Sequence, residues 1–211
     1  MKVRMFAVLV AGVVCATGGT AVLPGCTSGS QAAREQARGD IRSFRSELVR
    51  MPAQIDRTVA ALGDATSQAT TNRSAAVSQL GTELSRMQTH GRLLNQQADL
   101  ATRNSKRYFK AWTSELQASD DPTDREQGKA ALSARQRNFN VAMQHLNNGR
   151  NEYRRFLTDL EAVHQSLAND MSDAGMNAVS SRVQSLIGQS VTLRNTVARM
   201  TEQIDTALAN R

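Results

Sequence analysis

Proline is scarce in this chain, with residues only at positions 24, 52 and 122. Proline breaks helix interiors and central strands alike, so its absence elsewhere permits long uninterrupted helices. Aromatic residues are equally few, at one Trp, two Tyr and five Phe. No run rich in Val, Ile and Thr alternates with polar residues between turns, which removes the signature of a sheet. Cysteine occurs only at positions 15 and 26, so the remainder of the chain has neither a disulfide nor a thiolate nucleophile. A phosphate-cradling loop, a dinucleotide fingerprint and a Ser–His–Asp or Cys–His arrangement are also missing. What remains is a chain dominated by Ala, Leu, Gln, Glu and Arg, all good helix formers apart from their context. The fold class that follows is all-α.

The N-terminus has a different character. Lys2 and Arg4 precede an uncharged apolar run from Phe6 to Cys15, and the stretch closes on Leu23-Pro24-Gly25-Cys26. A basic start, an apolar centre and small residues at the end are the layout of a secretory signal. The strong apolar run is about half of the ~20 residues a membrane span needs, which favours a cleaved leader over a retained anchor. The end of the segment resembles the lipobox of bacterial lipoproteins, in which an apolar residue, a small residue and Gly or Ala precede a Cys. That resemblance implies removal of residues 1–25 and acylation of Cys26. Pro24 departs from the small residue usual there. Cleavage after Ala16 or Ala21 would instead release a soluble protein with a free Cys26.

The charge balance is basic, at a net +7 and a pI near 10.2. Lys2 and Arg4 belong to the leader, and the other basic residues are interleaved with Glu, Asp and Gln. This is the pattern of a solvated helix surface rather than of a nucleic-acid interface, so no nucleic acid is expected as a partner. Attraction to an anionic lipid or another acidic envelope polymer remains compatible with it.

Hydrophobic spacing divides the rest into four helices. Ile41, Phe44, Leu48, Met51, Ile55, Val59 and Leu62 alternate steps of three and four, which places them on one stripe. Pro52 interrupts that stripe and predicts a kink or restart. Gly63 reads as a C-cap. A second stripe runs through Val77, Leu80, Leu84, Met87, Gly91, Leu94, Ala98, Ala101, Ser105, Tyr108 and Trp112. After the turn at 119–124, Asp121 can cap a third helix with Pro122 in its first turn. That helix repeats every seven residues through Leu132, Phe139, Leu146, Tyr153, Leu160 and Leu167, with Met143, Leu157, His164 and Met171 as a companion row. Ser172 reads as the cap of the last helix, whose stripe is Val179, Val183, Leu186, Ser190, Leu193, Val197, Met200, Ile204 and Leu208.

The expected spans are 34–63, 73–118, 122–169 and 173–209, preceded by a flexible tether over 26–33, so that 34–211 forms one domain. Heptad spacing and short connections predict an antiparallel bundle around a long central hairpin. The shorter outer helices then pack on the base of that hairpin. Its 119–124 tip lies at the same end as both termini and projects beyond its neighbours. Single glycines at 91, 149 and 188 let helices approach closely, at about 1 kcal/mol each against Ala.

Several segments resemble an uncharacterised family of exported bacterial envelope proteins defined only by a domain of unknown function. They are Tyr108-Phe109-Lys110-Ala111-Trp112 with Glu115-Leu116, the Asp-Pro turn, Arg135 to Phe139, and Tyr153-Arg154-Arg155-Phe156-Leu157 with Leu160. Leu167, Asp170 and Gly175, and the Ile41-Arg42-Ser43-Phe44 to Ile55 stretch, fit as well. The resemblance covers most of the chain after the leader. It implies an exported helical protein and brings no catalytic residue with it.

Remaining constellations favour interaction over catalysis. His145 and His164 are too far apart to share a metal, and His90 is expected one to two turns from both. Asp120, Asp121 and Asp124 lack the order of a calcium loop, and a helix cap accounts for them. Tyr108 and Trp112 continue the seam of the second helix. Phe109 lies off it, beside Lys106 and Lys110, and is expected either at a helix–helix edge or exposed to a partner or to lipid headgroups.

The functional expectation is a non-catalytic envelope lipoprotein without cofactor or metal. It is anchored through Cys26, faces the periplasm, and is placed at the outer membrane where two membranes exist. Such a protein serves as a scaffold, a spacer or a partner-binding module, with Lys106, Phe109 and Lys110 as the candidate interaction tip. An envelope protein is the expected partner, and homo-oligomerisation is left open. The alternatives are a periplasmic holdase-type chaperone and a soluble secreted helical protein.

Overall fold

The computed structural model describes residues 28–67 and 71–209. These residues form α1 (Ser28–Thr66), α2 (Arg73–Ala118), α3 (Pro122–Asn169) and α4 (Asp173–Ala209). No strand occurs among the described residues. The fold is an all-α helical bundle. The expected signal peptide, Cys26 and Thr27 lie outside the described residues.

α2, α3 and α4 occupy their expected spans, whereas α1 is longer at both ends. It starts at Ser28 rather than near Arg34, so residues 28–33, expected to be a flexible tether, are helical. Gln31, Ala32 and Ala33 favour helix and outweigh the neighbouring Gly and Ser residues. At the other end α1 continues past Gly63 to Thr66. Gly63 is therefore not the cap. Ala65 is buried in the core, and the Thr66 hydroxyl donates to the Leu62 carbonyl at 2.8 Å. α1 also passes through Pro52 without restarting. One missing hydrogen-bond donor is tolerated where Leu48, Met51 and Ile55 on either side are at most 1 % exposed.

The caps follow the sequence. The Asn72 side chain accepts from the Ala75 N–H at 3.0 Å. Asp121 accepts from the Thr123 N–H at 2.7 Å and the Asp124 N–H at 3.3 Å, with Pro122 in the first turn. Ser172 accepts from the Gly175 N–H at 3.2 Å. The Asp170 carboxylate is held below the usual range by hydrogen bonds from Ser172.

Each helix packs on its neighbours in the chain, and α4 closes the ring on α1. Pairings between side chains fix antiparallel directions. Along α1 and α2, Gln54 meets Glu83, His90 meets the Glu47 carbonyl, and Asn104 meets Asp40. Between α4 and α1, Arg194 bonds Asp56 at 2.7 Å and Arg45 bonds Asp205 at 2.8 Å. The start of α1, the 119–121 turn and the end of α4 consequently share one end of the bundle.

The predicted stripes form the core. Leu48, Met51, Ile55, Leu80, Met87, Leu160, Leu167 and Leu186 are at most 1 % exposed. α3 also buries Phe156 and Val163, both fully inaccessible. They lie off the predicted heptad row, because α3 has two neighbours and needs a second apolar face, towards α4.

Gly91 and Gly149 do serve close packing. A Cβ at Gly91 would overlap the Tyr153 ring, and one at Gly149 would lie 3.1 Å from the Met200 sulfur. Gly188 does not, since nothing lies within 4 Å of its Cβ direction.

The α1/α2 joint contains a buried polar group that the stripes did not reveal. Glu83 is 3 % exposed and accepts from Gln54 at 2.9 Å, from Gln79 at 3.2 Å and from Arg86. Thr58, fully buried, donates to the Gln54 carbonyl at 2.9 Å. These three hydrogen bonds, with the Arg57 guanidinium 3.9 Å away, offset the desolvation of that carboxylate.

Tyr153 crosses the α2/α3 joint and donates its hydroxyl proton to the Met87 carbonyl. Burial pushes its phenol well above the usual range, opposed weakly by the Gly91 backbone. An unfolded tyrosine ionises near pH ~10, and the folded one ionises later. Above that pH the unfolded state therefore binds fewer protons, and stability falls as pH rises. Tyr153→Phe is expected to lose about 0.5–1.5 kcal/mol at neutral pH and to flatten the alkaline decline. Urea midpoints measured on either side of pH ~10 check this. An equally steep decline in the variant would assign it to other groups.

A candidate interaction site at the hairpin end

The bundle thins towards the end that holds the 119–121 turn. Gly149 of α3 lies beneath Thr196 and Met200 of α4. Counting from that level at ~1.5 Å per residue, α3 runs on about 25 Å beyond the last turn of α4. α1 does not stop short in the same way. Asp40 is level with Asn104, and α1 continues roughly 18 Å further to Ser28. The expectation that the hairpin overshoots both neighbours is thus corrected: it overshoots α4 but runs beside α1. The extra helical turns from Ser28 are the cause. α2 and α3 stay packed to the end, where Leu116 occupies the space a Cβ at Gly128 would need.

Four aromatic rings sit at and just past the level where α4 ends. Tyr108 and Trp112, one helical turn apart, stack with centroids 5.6 Å apart and planes at 26°. Phe109 meets Phe139 of α3 edge-on at 5.4 Å and 73°, a geometry worth about 0.5–1.5 kcal/mol. The Arg135 guanidinium lies 5.8 Å from the Trp112 ring centre, within cation–π range. All four rings are half-buried. They hold the arms together and still present apolar area to solvent. Phe109 thus lies at a helix–helix edge, the first of its two expected placements.

Lys106 and Lys110 do not join this cluster. Both are exposed. At 3.6 residues per turn they stand a third of a turn or more round α2 from Trp112. Lys106, three residues before Phe109, stays beside that ring on the surface of α2, whereas Lys110 stands on the outward flank. The extreme tip carries exposed Asp120, Asp121, Asp124 and Glu126 beside Arg125 and Lys129. Phe139 and Arg135 were visible only as members of the α3 pattern. Their role depends on a contact across some thirty residues of chain, which no local spacing announces.

The histidines are dispersed. His90 Nε2 is 3.1 Å from the Glu47 carbonyl and 3.4 Å from its carboxylate. His164 packs against Gly81, and His145 is exposed. Among the described residues no three His, Cys, Asp or Glu side chains are grouped to hold a metal ion. No described helix is long and apolar enough to cross a membrane. No family model matches the chain, and no curated protein or solved structure matches it. The family resemblance noted in the sequence accordingly rests on its residues alone.

Proposed function

We propose that this chain is a non-catalytic lipoprotein of the bacterial envelope, tethered through Cys26 and holding a protein partner at the hairpin end of its bundle. The observation that carries this reading is the half-buried cluster of Tyr108, Phe109, Trp112 and Phe139 beside Arg135. Aromatic and Arg side chains that stay partly accessible on a rigid support are the residue types that dominate protein interfaces. The start of α1 reaches the same end, so an acyl chain on Cys26 would hold the cluster close to a membrane. A holdase is a weaker reading. It needs an open cleft for client chains, whereas the four-helix part of the bundle is filled by side chains that are fully inaccessible.

Each part has its own experiment. Radiolabelled fatty acid is expected to enter the wild type and not Cys26→Ser; label in both, or in neither, removes the tether. A photo-crosslinking residue at Asn138, exposed and next to Phe139, is expected to capture an envelope protein in a Trp112-dependent manner. Absence of capture, or capture unchanged in Trp112→Ala, removes the partner-binding role.

A further inference from the structure

The outward face of α2 carries a surface that neither the core nor the aromatic cluster uses. Sixteen leucines occur in the described helices, and only Leu93 and Leu100 are exposed, at 38 % and 37 %. They are seven residues apart and therefore share a face, half a turn from buried Ala98. Arg107 continues their row. Arg103 and Lys110 form a second row beside it, with Lys106 on the flank.

All four cations are exposed. Arg103, Lys106 and Lys110 have no carboxylate partner among the described residues, and Arg107 bonds only the Asn104 side chain, at 3.4 Å. Of the acidic residues nearby, Asp99 is engaged by Arg150 of α3 at 2.6 Å and Asp40 of α1 by the Asn104 side chain. From Leu93 to Lys110 the stripe is roughly 25 Å long. It is basic, studded with leucine, and set on a helix whose opposite face is locked into the bundle.

We infer that this face of α2 docks on an anionic lipid surface, so that the bundle lies along the membrane instead of standing on it. Charge complementarity selects the occupant. Four unneutralised cations on one face of a helix attract an acidic surface, and exposed leucines between them fit the boundary between headgroups and acyl chains, to which Lys and Arg stems can snorkel. A soluble polyanion would use the cations and leave the leucines idle. The acidic residues at the extreme tip oppose an upright stance with the tip pressed against acidic headgroups.

The inference rests on the tethered reading for its location, but its test does not. The core among the described residues lies within 28–209, so a chain from Ser28 to Arg211 keeps that core and lacks Cys26. Failed acylation and failed vesicle binding are then separate results. Co-sedimentation is measured with vesicles of phosphatidylcholine alone and with phosphatidylglycerol added, and circular dichroism melts verify the fold of each variant.

Binding is expected only with phosphatidylglycerol. Arg103→Glu/Arg107→Glu and Leu93→Ser/Leu100→Ser are each expected to weaken it by at least ~10-fold. Arg155→Glu/Arg182→Glu, the same charge change on other faces, is expected to leave most of it. No binding to the acidic vesicles overturns the inference. So does an equal loss in the Arg155/Arg182 control, which would reduce the effect to net charge. Unchanged binding in the leucine variant, with competition by polyphosphate, would identify a soluble polyanion instead and overturn it too.

Discussion

Gly91→Ala is expected to destabilise the protein by about 1–3 kcal/mol, although alanine is the better helix former by about 1 kcal/mol. The steric term prevails because the new methyl group would overlap the Tyr153 ring, with the phenol oxygen only 2.8 Å away. That ring is buried and tied to the Met87 carbonyl. It cannot swing aside without breaking a hydrogen bond, so α2 and α3 must separate. Gly188→Ala tests the opposite sign. Nothing lies within 4 Å of its Cβ direction, and a gain of about 0.5–1 kcal/mol is expected from propensity alone. Thermal or urea midpoints of the two variants check the pair. Equal gains in both would mean that the Tyr153 ring does not occupy the space beside Gly91. Combining Gly91→Ala with Tyr153→Ala should cost less than the sum of the two single changes, since the overlap disappears with the ring.

Leu160→Asp is expected to abolish stable folding, or nearly so. Leu160 is fully buried within the continuous core. Truncation to Ala there should cost about 2–5 kcal/mol, and an unpaired carboxylate costs more, against a total stability on the order of 5–15 kcal/mol. The same row gives a graded comparison. Leu132 is 7 % exposed and lies outside that continuous core, on the part of α3 that runs past the end of α4. Leu132→Ala should therefore cost less than Leu160→Ala, because fewer neighbours lose contact. Exposed Gln165→Ala on the same helix should change little. Equal losses at Leu132 and Leu160 would contradict the thinning of the bundle. A mild Leu160→Asp variant would contradict the seam itself.

How far the fold could be read in advance depended on whether a feature was local. The bounds at Pro122 and Asp173 followed from the Asp121 and Ser172 caps and from Pro122, which act within a turn of the chain, and those at Arg73, Ala118 and Asn169 from where the apolar spacing starts and stops. The stripes followed from periodicity. Gly63 misled because a glycine signals an end only when nothing beyond it packs, and Ala65 packs. Residues 28–33 misled for the opposite reason, since the Gly and Ser there outweighed three helix formers in the reading but not in the fold. Phe156 and Val163 were missed because the companion row was placed through Met143, Leu157, His164 and Met171, one residue along from the fully buried pair.

Glu83 is buried among Leu80, Leu84 and Met87. Its partner Gln54 lies on another helix, and no spacing within α2 could name it. The candidate site was legible in part. Phe109 was read as lying off the seam, and its contact is Phe139 of α3. Lys106 lies beside it on the helix surface, and Lys110 stands further round.

The ring of helices also bears on how the chain reaches this state. Three of its four joints link helices that are adjacent in the chain, each across a short turn. The fourth, between α4 and α1, spans nearly the whole domain, as the Arg45–Asp205 pair shows with a separation of 160 residues. The entropy lost in closing a loop grows only with the logarithm of its length. Once the three hairpins exist, α1 and α4 already stand side by side, and little of that entropy is left to lose. Mostly local contacts give a low contact order and fast folding. The α4–α1 joint, which brings the two ends of the domain together, is thus the contact expected to close last.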